Sequence, residues 1–326
     1  MKCKKNPPQL RGIFRREEKM DGCTLCPRNC RVDRKKNKGY CREGETVRVA
    51  RAALHFWEEP CISGTCGSGT VFFSGCPLKC VFCQNHELAQ SRTGWEVDAE
   101  RLAEIFLMLQ EAGAANINLV TPTHFVPQIA EALRLAKEEG LALPVVYNTG
   151  SYENIGTLKM LEGLVDIYLP DLKFFSPEIS GKYAHAPDYF EKASAAIAEM
   201  VRQTGPAVYE GGVSGKAVEE GLLMKRGTIV RHMVLPGCTK DSRAVLKYLW
   251  ETYRDTVTVS IMNQYTPMLS TGQLDEYPEL TRPVTAREYD RVVDYALSLG
   301  MENAFIQEGE TDKSSFIPAF DGEGVL

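Results

Sequence analysis

No apolar run in these 326 residues approaches the roughly 20 needed to cross a bilayer, so the sequence predicts no spanning helix. The opening residues, Met1-Lys2-Cys3-Lys4-Lys5-Asn6-Pro7-Pro8, are basic and lack the apolar stretch of a signal peptide. The cytoplasm is therefore the expected compartment, with no membrane partner. Cysteine is almost absent from the last three quarters of the chain, where only Cys238 follows Cys83. The other ten of the eleven cysteines lie at or before Cys83. A disulfide framework would be spread through a small secreted domain, so this crowding points to metal ligation. The remaining composition, 44% hydrophobic and 25% charged, is that of an ordinary globular chain. Its length suffices for one large α/β domain, alone or with an appendage.

A net charge of −5 conceals an uneven distribution. Residues 1–42 hold 14 Lys and Arg against 4 Asp and Glu, whereas the rest holds 24 against 39. A basic arm over residues 1–22 on an acidic body can meet nucleic acid, an acidic protein or its own body, or extend into solvent.

Two groups of thiols carry the chemistry. Cys23, Cys26, Cys30 and Cys41 are spaced C-x2-C-x3-C-x10-C among polar residues, Pro27 and Gly39. Four sulfurs close a site, which suits a structural zinc or an auxiliary iron–sulfur cluster as a second metal. Cys76, Cys80 and Cys83 are spaced C-x3-C-x2-C and follow the apolar run Thr70-Val71-Phe72-Phe73. Three thiolates on a four-iron cluster leave one iron open to a substrate or cofactor. Residues 43–69 between the groups, rich in Gly, Ser and Pro toward their end, read as a connection, with Cys61 and Cys66 as lone thiols.

From residue 70 onward strands and helices alternate. Strands are expected at 70–73, 116–120, 144–147, 165–169, 228–235 and 256–262. Helices are expected after Asp98 up to about Gly113, from about Pro127 to Glu139 with Gly140 as its stop, around 188–203, near 241–253, and from a Thr285/Glu288 capping box to Gly300. Repeated βα units predict a parallel sheet with helical crossovers, as an open sheet or a partial barrel. In both, ligands sit beyond the strands' C-terminal ends, where the Cys76 loop lies.

At Cys76-Pro77-Leu78-Lys79-Cys80-Val81-Phe82-Cys83 the chain resembles the radical S-adenosylmethionine (SAM) superfamily, whose signature places an aromatic residue, here Phe82, before the third cysteine. The remainder is most similar to the pyruvate formate-lyase activating-enzyme-like group, in a subgroup of homologues with a Cys-rich N-terminal segment. The matching stretches are residues 67–85, 118–128, 171–173, 231–237, 262–267 and 316–321. The resemblance implies a partial (β/α)6 barrel over residues 67–326, preceded by a Cys-rich metal-binding extension and linker over 23–66. It implies a [4Fe-4S] cluster on Cys76, Cys80 and Cys83, with SAM chelating the fourth iron. SAM would then be cleaved reductively to methionine and a 5′-deoxyadenosyl radical, which abstracts hydrogen from a substrate. It also implies a reductant protein such as flavodoxin or ferredoxin.

Site residues follow position by position. Asp171 and Lys173 match an Asp-x-Lys near the methionine end of SAM. Asn148 stands in the turn after the third strand, and Arg231 on the fifth strand is placed to hold the SAM carboxylate or ribose. After the second strand many relatives carry Gly-Gly-Glu for the SAM amine; this chain reads Val120-Thr121-Pro122-Thr123-His124. Thr121 or Thr123 then supplies the oxygen acceptors, and His124 reads equally well as a helix-start residue. The sharper functional expectation is hydrogen abstraction from a protein or peptide glycine. Against it, two-cluster activases place their extra cysteines after the core motif, not before it. The other readings are a non-catalytic iron–sulfur or zinc protein, and radical chemistry on RNA. The first leaves a large βα scaffold without a task. The second finds an acidic body and no evident RNA-binding motif.

Overall fold

The computed structural model describes residues 22–210, 221–267, 275–307 and 318–326. Nearly all of the basic arm, residues 1–21, and residues 316 and 317 of the last matching stretch lie outside the described residues. The described strands are β1 (Val47–His55), β2 (Ser68–Phe73), β3 (Trp95–Val97), β4 (Ile117–Val120) and β5 (Val145–Thr149). They continue with β6 (Ile167–Pro170), β7 (Val208–Tyr209), β8 (Met224–Met233), β9 (Thr258–Met262) and β10 (Ala304–Ile306).

All six expected strands are present, as β2, β4, β5, β6, β8 and β9, and they run parallel in that order. Every residue of β2, β5, β6 and β9 is buried, as expected for strands covered on both faces. β10 extends the parallel set beyond β9, while β1 and β3 add antiparallel strands at the other end. Among the described strands the two ends do not pair, so the sheet is open, consistent with a partial barrel.

The stretch from 43 to 69 is not merely a connection. Val47, Val49, Ala50 and Ala52 are buried along β1, which pairs with β2 through a register shift between Val49 and Arg51. The Gly, Ser and Pro content of its second half masked a strand in its first half. Antiparallel strands need less continuous apolar sequence than central parallel ones, and Arg48 and Arg51 break the run here.

Helices cover the outer face. Ala99–Glu111 starts at Asp98, whose carboxylate accepts the Arg101 amide at 2.8 Å. Val126–Glu138, Tyr189–Thr204, Thr239–Tyr253 and Ala286–Leu299 follow, the last with the expected capping box and Gly300 at φ +88°. The alternation of strand side chains separates two environments. Leu119, Tyr147 and Val230 pack on the helix side, while their neighbours Val120, Asn148 and Arg231 face a central cavity. Among the described residues no helix is long and apolar enough to cross a membrane.

Candidate functional site

The site is built where β2 ends. Gly75 turns the chain at φ +83°, with its amide donating to the Leu88 carbonyl at 2.7 Å. The next eight residues, 76–83, contain no helix or strand and deliver three half-buried cysteines. Val81 donates to the Tyr183 carbonyl at 2.9 Å, and Phe82 packs edge-on against Phe174 with ring centroids 5.9 Å apart. Cys76, Cys80 and Cys83 line one cavity of about 230 Å³.

Phe82, the aromatic residue of the cysteine signature, lines this same cavity together with the SAM candidates Thr121, Asn148, Asp171, Lys173 and Arg231. Thr123 does not. Its hydroxyl donates to Glu153 at 2.6 Å in a buried cluster that Thr149 joins at 2.5 Å. His124 is buried in a short 3-10 turn, Thr123–Phe125, that leads into the following helix, as a helix-start residue should. Its Nε2 lies 2.6 Å from the Ser74 carbonyl, so it also braces the entry to the cysteine loop. Burial holds the His124 imidazole neutral, down to about 3.

Arg231 is the hub of the polar wall. Its Nε donates to Asp171 at 2.8 Å, Nη1 to Glu58 at 3.1 Å and Nη2 to the Asn148 carbonyl oxygen at 2.6 Å. Asp171 also pairs with Lys173 through its other oxygen. Burial raises the Asp171 carboxyl, but Arg231 and Lys173 outweigh it and hold the group below the usual carboxylate range. Lys173 is held charged against its burial by Asp171 and by proximity to the Cys80 sulfur. The wall is therefore ionic and internally neutralised, with an ammonium beside the thiols.

Glu58 was not expected. It comes from the stretch read as a linker and reaches the inner face of the sheet, where Asn118 donates to it at 2.9 Å and Asn148 at 3.2 Å. Burial pushes its carboxyl up, with Arg231 opposing. The only sequence signal was a pair of carboxylates in Trp57-Glu58-Glu59-Pro60, which has no periodicity to place it. Of the lone thiols, Cys61 is buried among Ile62, Val146 and Ile167, and Cys66 is exposed.

The donor set fits an iron–sulfur cluster. Burial raises all three thiols, Cys80 to about 12, and all three line the same cavity. Uncompensated thiolates would be costly there; thiolates bound to iron would not. The Cys23, Cys26, Cys30 and Cys41 segment packs against the outside of the same loop, with Arg28 donating to the Pro77 carbonyl at 2.8 Å. Among the described residues no three Cys, His, Asp or Glu side chains close on a single-ion position.

An uncharacterized protein of Methanocaldococcus jannaschii is similar to this chain, at 26% identity over 84% of the chain and 74% of that protein. Among solved structures, SuiB of Streptococcus suis bound to its precursor peptide SuiA is 14% identical, with a TM-score of 0.46 over 72% of this chain and 47% of SuiB. The FeFe-hydrogenase maturase HydG of Carboxydothermus hydrogenoformans is 13% identical, with a TM-score of 0.43 over 75% of this chain and 58% of HydG. The chain spans about half the length of the SuiB structures it matches. The family model described as radical SAM superfamily matches residues 70–212, from β2 through the three cavity cysteines, Asp171 and Lys173. With its open, mostly parallel sheet and the thiols at the strand ends, the chain carries a radical SAM superfamily domain.

Proposed function

We propose that this protein is a radical SAM enzyme that holds a [4Fe-4S] cluster on Cys76, Cys80 and Cys83 and binds SAM against Phe82, Thr121, Asn148, Asp171, Lys173 and Arg231. The observation that carries the reading is their meeting in one cavity at the strand ends, although they are spread over more than 150 residues. A bound cluster supplies the single electron that splits a carbon–sulfur bond of SAM.

The protein's own residues bind, orient and exclude water. Arg231 fixes the Asp171 carboxylate toward the cavity, and Asp171 in turn fixes the Lys173 ammonium. The pair offers opposite charges to the amine and carboxylate of an amino-acid moiety. Asn148 is held at both ends, by Glu58 and Arg231, so its amide is pre-oriented. Thr121 supplies the oxygen acceptors in place of Gly-Gly-Glu. Phe82, buried against Phe174, keeps water from the thiols on that side.

The substrate class that the sequence resemblance favours is a protein or peptide, with a glycine as the activase-like hydrogen donor. The electron comes from a flavodoxin- or ferredoxin-type protein. A second metal sits on Cys23, Cys26, Cys30 and Cys41. The test is anaerobic reconstitution with iron and sulfide, reduction, and addition of SAM. Release of 5′-deoxyadenosine is expected, and an intact cluster that cleaves no SAM would remove the reading.

A further inference from the structure

Residues 22–46 form a knuckle of turns, without helix or strand, laid against the loop that carries Cys76, Cys80 and Cys83. The Cys41 carbonyl fills the space beside Gly75, where a Cβ would approach it to 2.6 Å. Arg28 donates to the Pro77 carbonyl at 2.8 Å and to the His185 carbonyl at 2.6 Å. Asn154 donates to the Thr24 carbonyl at 2.7 Å and Thr157 to the Leu25 carbonyl at 2.8 Å. The knuckle is thus fixed to the α/β body, and a molecule approaching the cysteine loop from this side meets it first.

The surface it presents is cationic. The knuckle holds seven Lys and Arg against three Asp and Glu. Arg28 and Arg34 are engaged with backbone carbonyls, Arg34 with those of His124 and Gly44. The other five, Arg31, Lys35, Lys36, Lys38 and Arg42, are exposed. Among the described residues one carboxylate pairs with any of these five: Asp33 lies 3.5 Å from Lys36, with both side chains more than half exposed. A pair so open to solvent neutralises little. The charge continues onto the cysteine loop itself through Lys79, which stands between Cys76 and Cys80. Lys35, Lys36 and Lys38 border a groove whose other wall includes Ser91 and Gly94, and Arg42 reaches the same turn by donating to the Gln90 carbonyl at 3.3 Å. Exposed like charges gathered without counter-charges favour an anionic partner.

Two observations select a compact acidic protein over a nucleic acid. Single strands bind by stacking bases on aromatic rings. The one aromatic side chain of the knuckle is Tyr40, and the Arg28 guanidinium and Lys79 ammonium lie over its ring, 4.2 and 4.1 Å from its centre. That ring is occupied by cations and is not open to a base. Residues 43–326 also carry 39 Asp and Glu against 24 Lys and Arg. A long polyanion would meet repulsion beyond the knuckle, whereas a small acidic protein needs only the patch, and the same repulsion steers it there.

We propose that the exposed cations of the knuckle, together with Lys79, are the docking surface for an acidic one-electron carrier protein of the flavin or iron–sulfur type. The carrier's role rests on reading the adjacent loop as the cluster-binding loop; the docking surface does not. In the transfer the carrier loses one electron and the cluster gains it, and no bond forms or breaks.

The probe is an acidic flavodoxin, titrated into the full chain by calorimetry. Raising the ionic strength from about 0.01 M to about 0.15 M shortens the reach of these charges from about 30 to about 8 Å and should weaken binding about tenfold or more. Lys35→Glu, Lys36→Glu and Lys38→Glu together should weaken binding at low salt about tenfold or more. Lys240→Glu, Lys247→Glu and Arg291→Glu make the same change of net charge at exposed positions on the outer helices, and together should weaken it less than about threefold. After reconstitution, flavodoxin hydroquinone should reduce the knuckle variant about tenfold more slowly than wild type, while excess dithionite reduces both fully. Equal weakening by the two triple variants, no weakening by the first, or no binding of wild type at low salt would overturn the proposal. So would a knuckle variant that loses binding to a single-stranded oligoribonucleotide but not to flavodoxin. The binding measurement needs neither cluster nor SAM. Binding as expected with no SAM cleavage would leave the docking surface and remove the enzyme; SAM cleavage with binding indifferent to the knuckle would do the reverse.

Discussion

Replacing Arg231 with methionine keeps most of the side-chain volume and removes the cation that three partners share. Arg231 and its partners Asp171 and Glu58 are each less than 15% exposed, so solvent cannot take over the neutralising role. Lys173 still pairs with Asp171, but Glu58 is left with only amide donors. Removing one partner of a buried ion pair costs about 3–5 kcal/mol. Urea denaturation at pH 7.5 should show a loss of that size for Arg231→Met. Adding Glu58→Gln should return about 1–2 kcal/mol, because it removes the stranded charge.

The pH dependence has a definite sign. Burial already raises the Glu58 carboxyl, and Arg231 opposes that rise. In the variant it climbs further above its unfolded value. A group raised on folding contributes stability below its unfolded pKa and loses it as pH rises through the folded one. The variant's deficit should therefore shrink from pH 7.5 toward pH 5. A loss under about 1 kcal/mol, or one of equal size at both pH values, would refute the picture of Arg231 as the neutralising hub.

Two further perturbations probe the surroundings. Burial raises the Glu153 carboxyl from 4.5 to about 7, so its stabilising contribution, present below the unfolded pKa, is lost as pH rises toward 7. Glu153→Gln should flatten the stability profile between pH 5 and 8 by about 3 kcal/mol, read from denaturation midpoints; an unchanged slope contradicts this assignment. Gly75→Ala combines a left-handed φ with a Cβ 2.6 Å from the Cys41 carbonyl, so it should lose more than about 1 kcal/mol and take up less iron on reconstitution. Normal stability and normal iron content would mean that the loop tolerates a different approach to the knuckle.

The parallel sheet was legible because its strands are short apolar runs between amphipathic helices, and two-sided burial leaves little choice of residue. The flanking strands were not. β1, between β2 and β3, carries Arg48 and Arg51 within nine residues, and the end strands β3 and β10 are three residues each, below the length at which a pattern declares itself. The cysteines were legible by spacing, since three thiols within eight residues have few other uses. Asp171, Lys173 and Arg231 came from resemblance, and the structure adds that they neutralise one another. Glu58 was hidden because its importance lies in tertiary approach. Its partners Asn118, Asn148 and Arg231 stand 60, 90 and 173 residues away. Of the alternatives Thr121 and Thr123, the first lines the cavity, while the 3-10 turn after β4 swings the Thr123 hydroxyl toward Glu153.

The central claim is that Cys76, Cys80 and Cys83 serve SAM cleavage. Its most direct measurement is 5′-deoxyadenosine released by the reconstituted, reduced protein, beside the same preparation of Cys76→Ala. The wild-type chain should release it together with methionine, and Cys76→Ala should release none while keeping its fold by circular dichroism. Equal release from both proteins, or none from a wild-type protein with an intact cluster, would contradict the account.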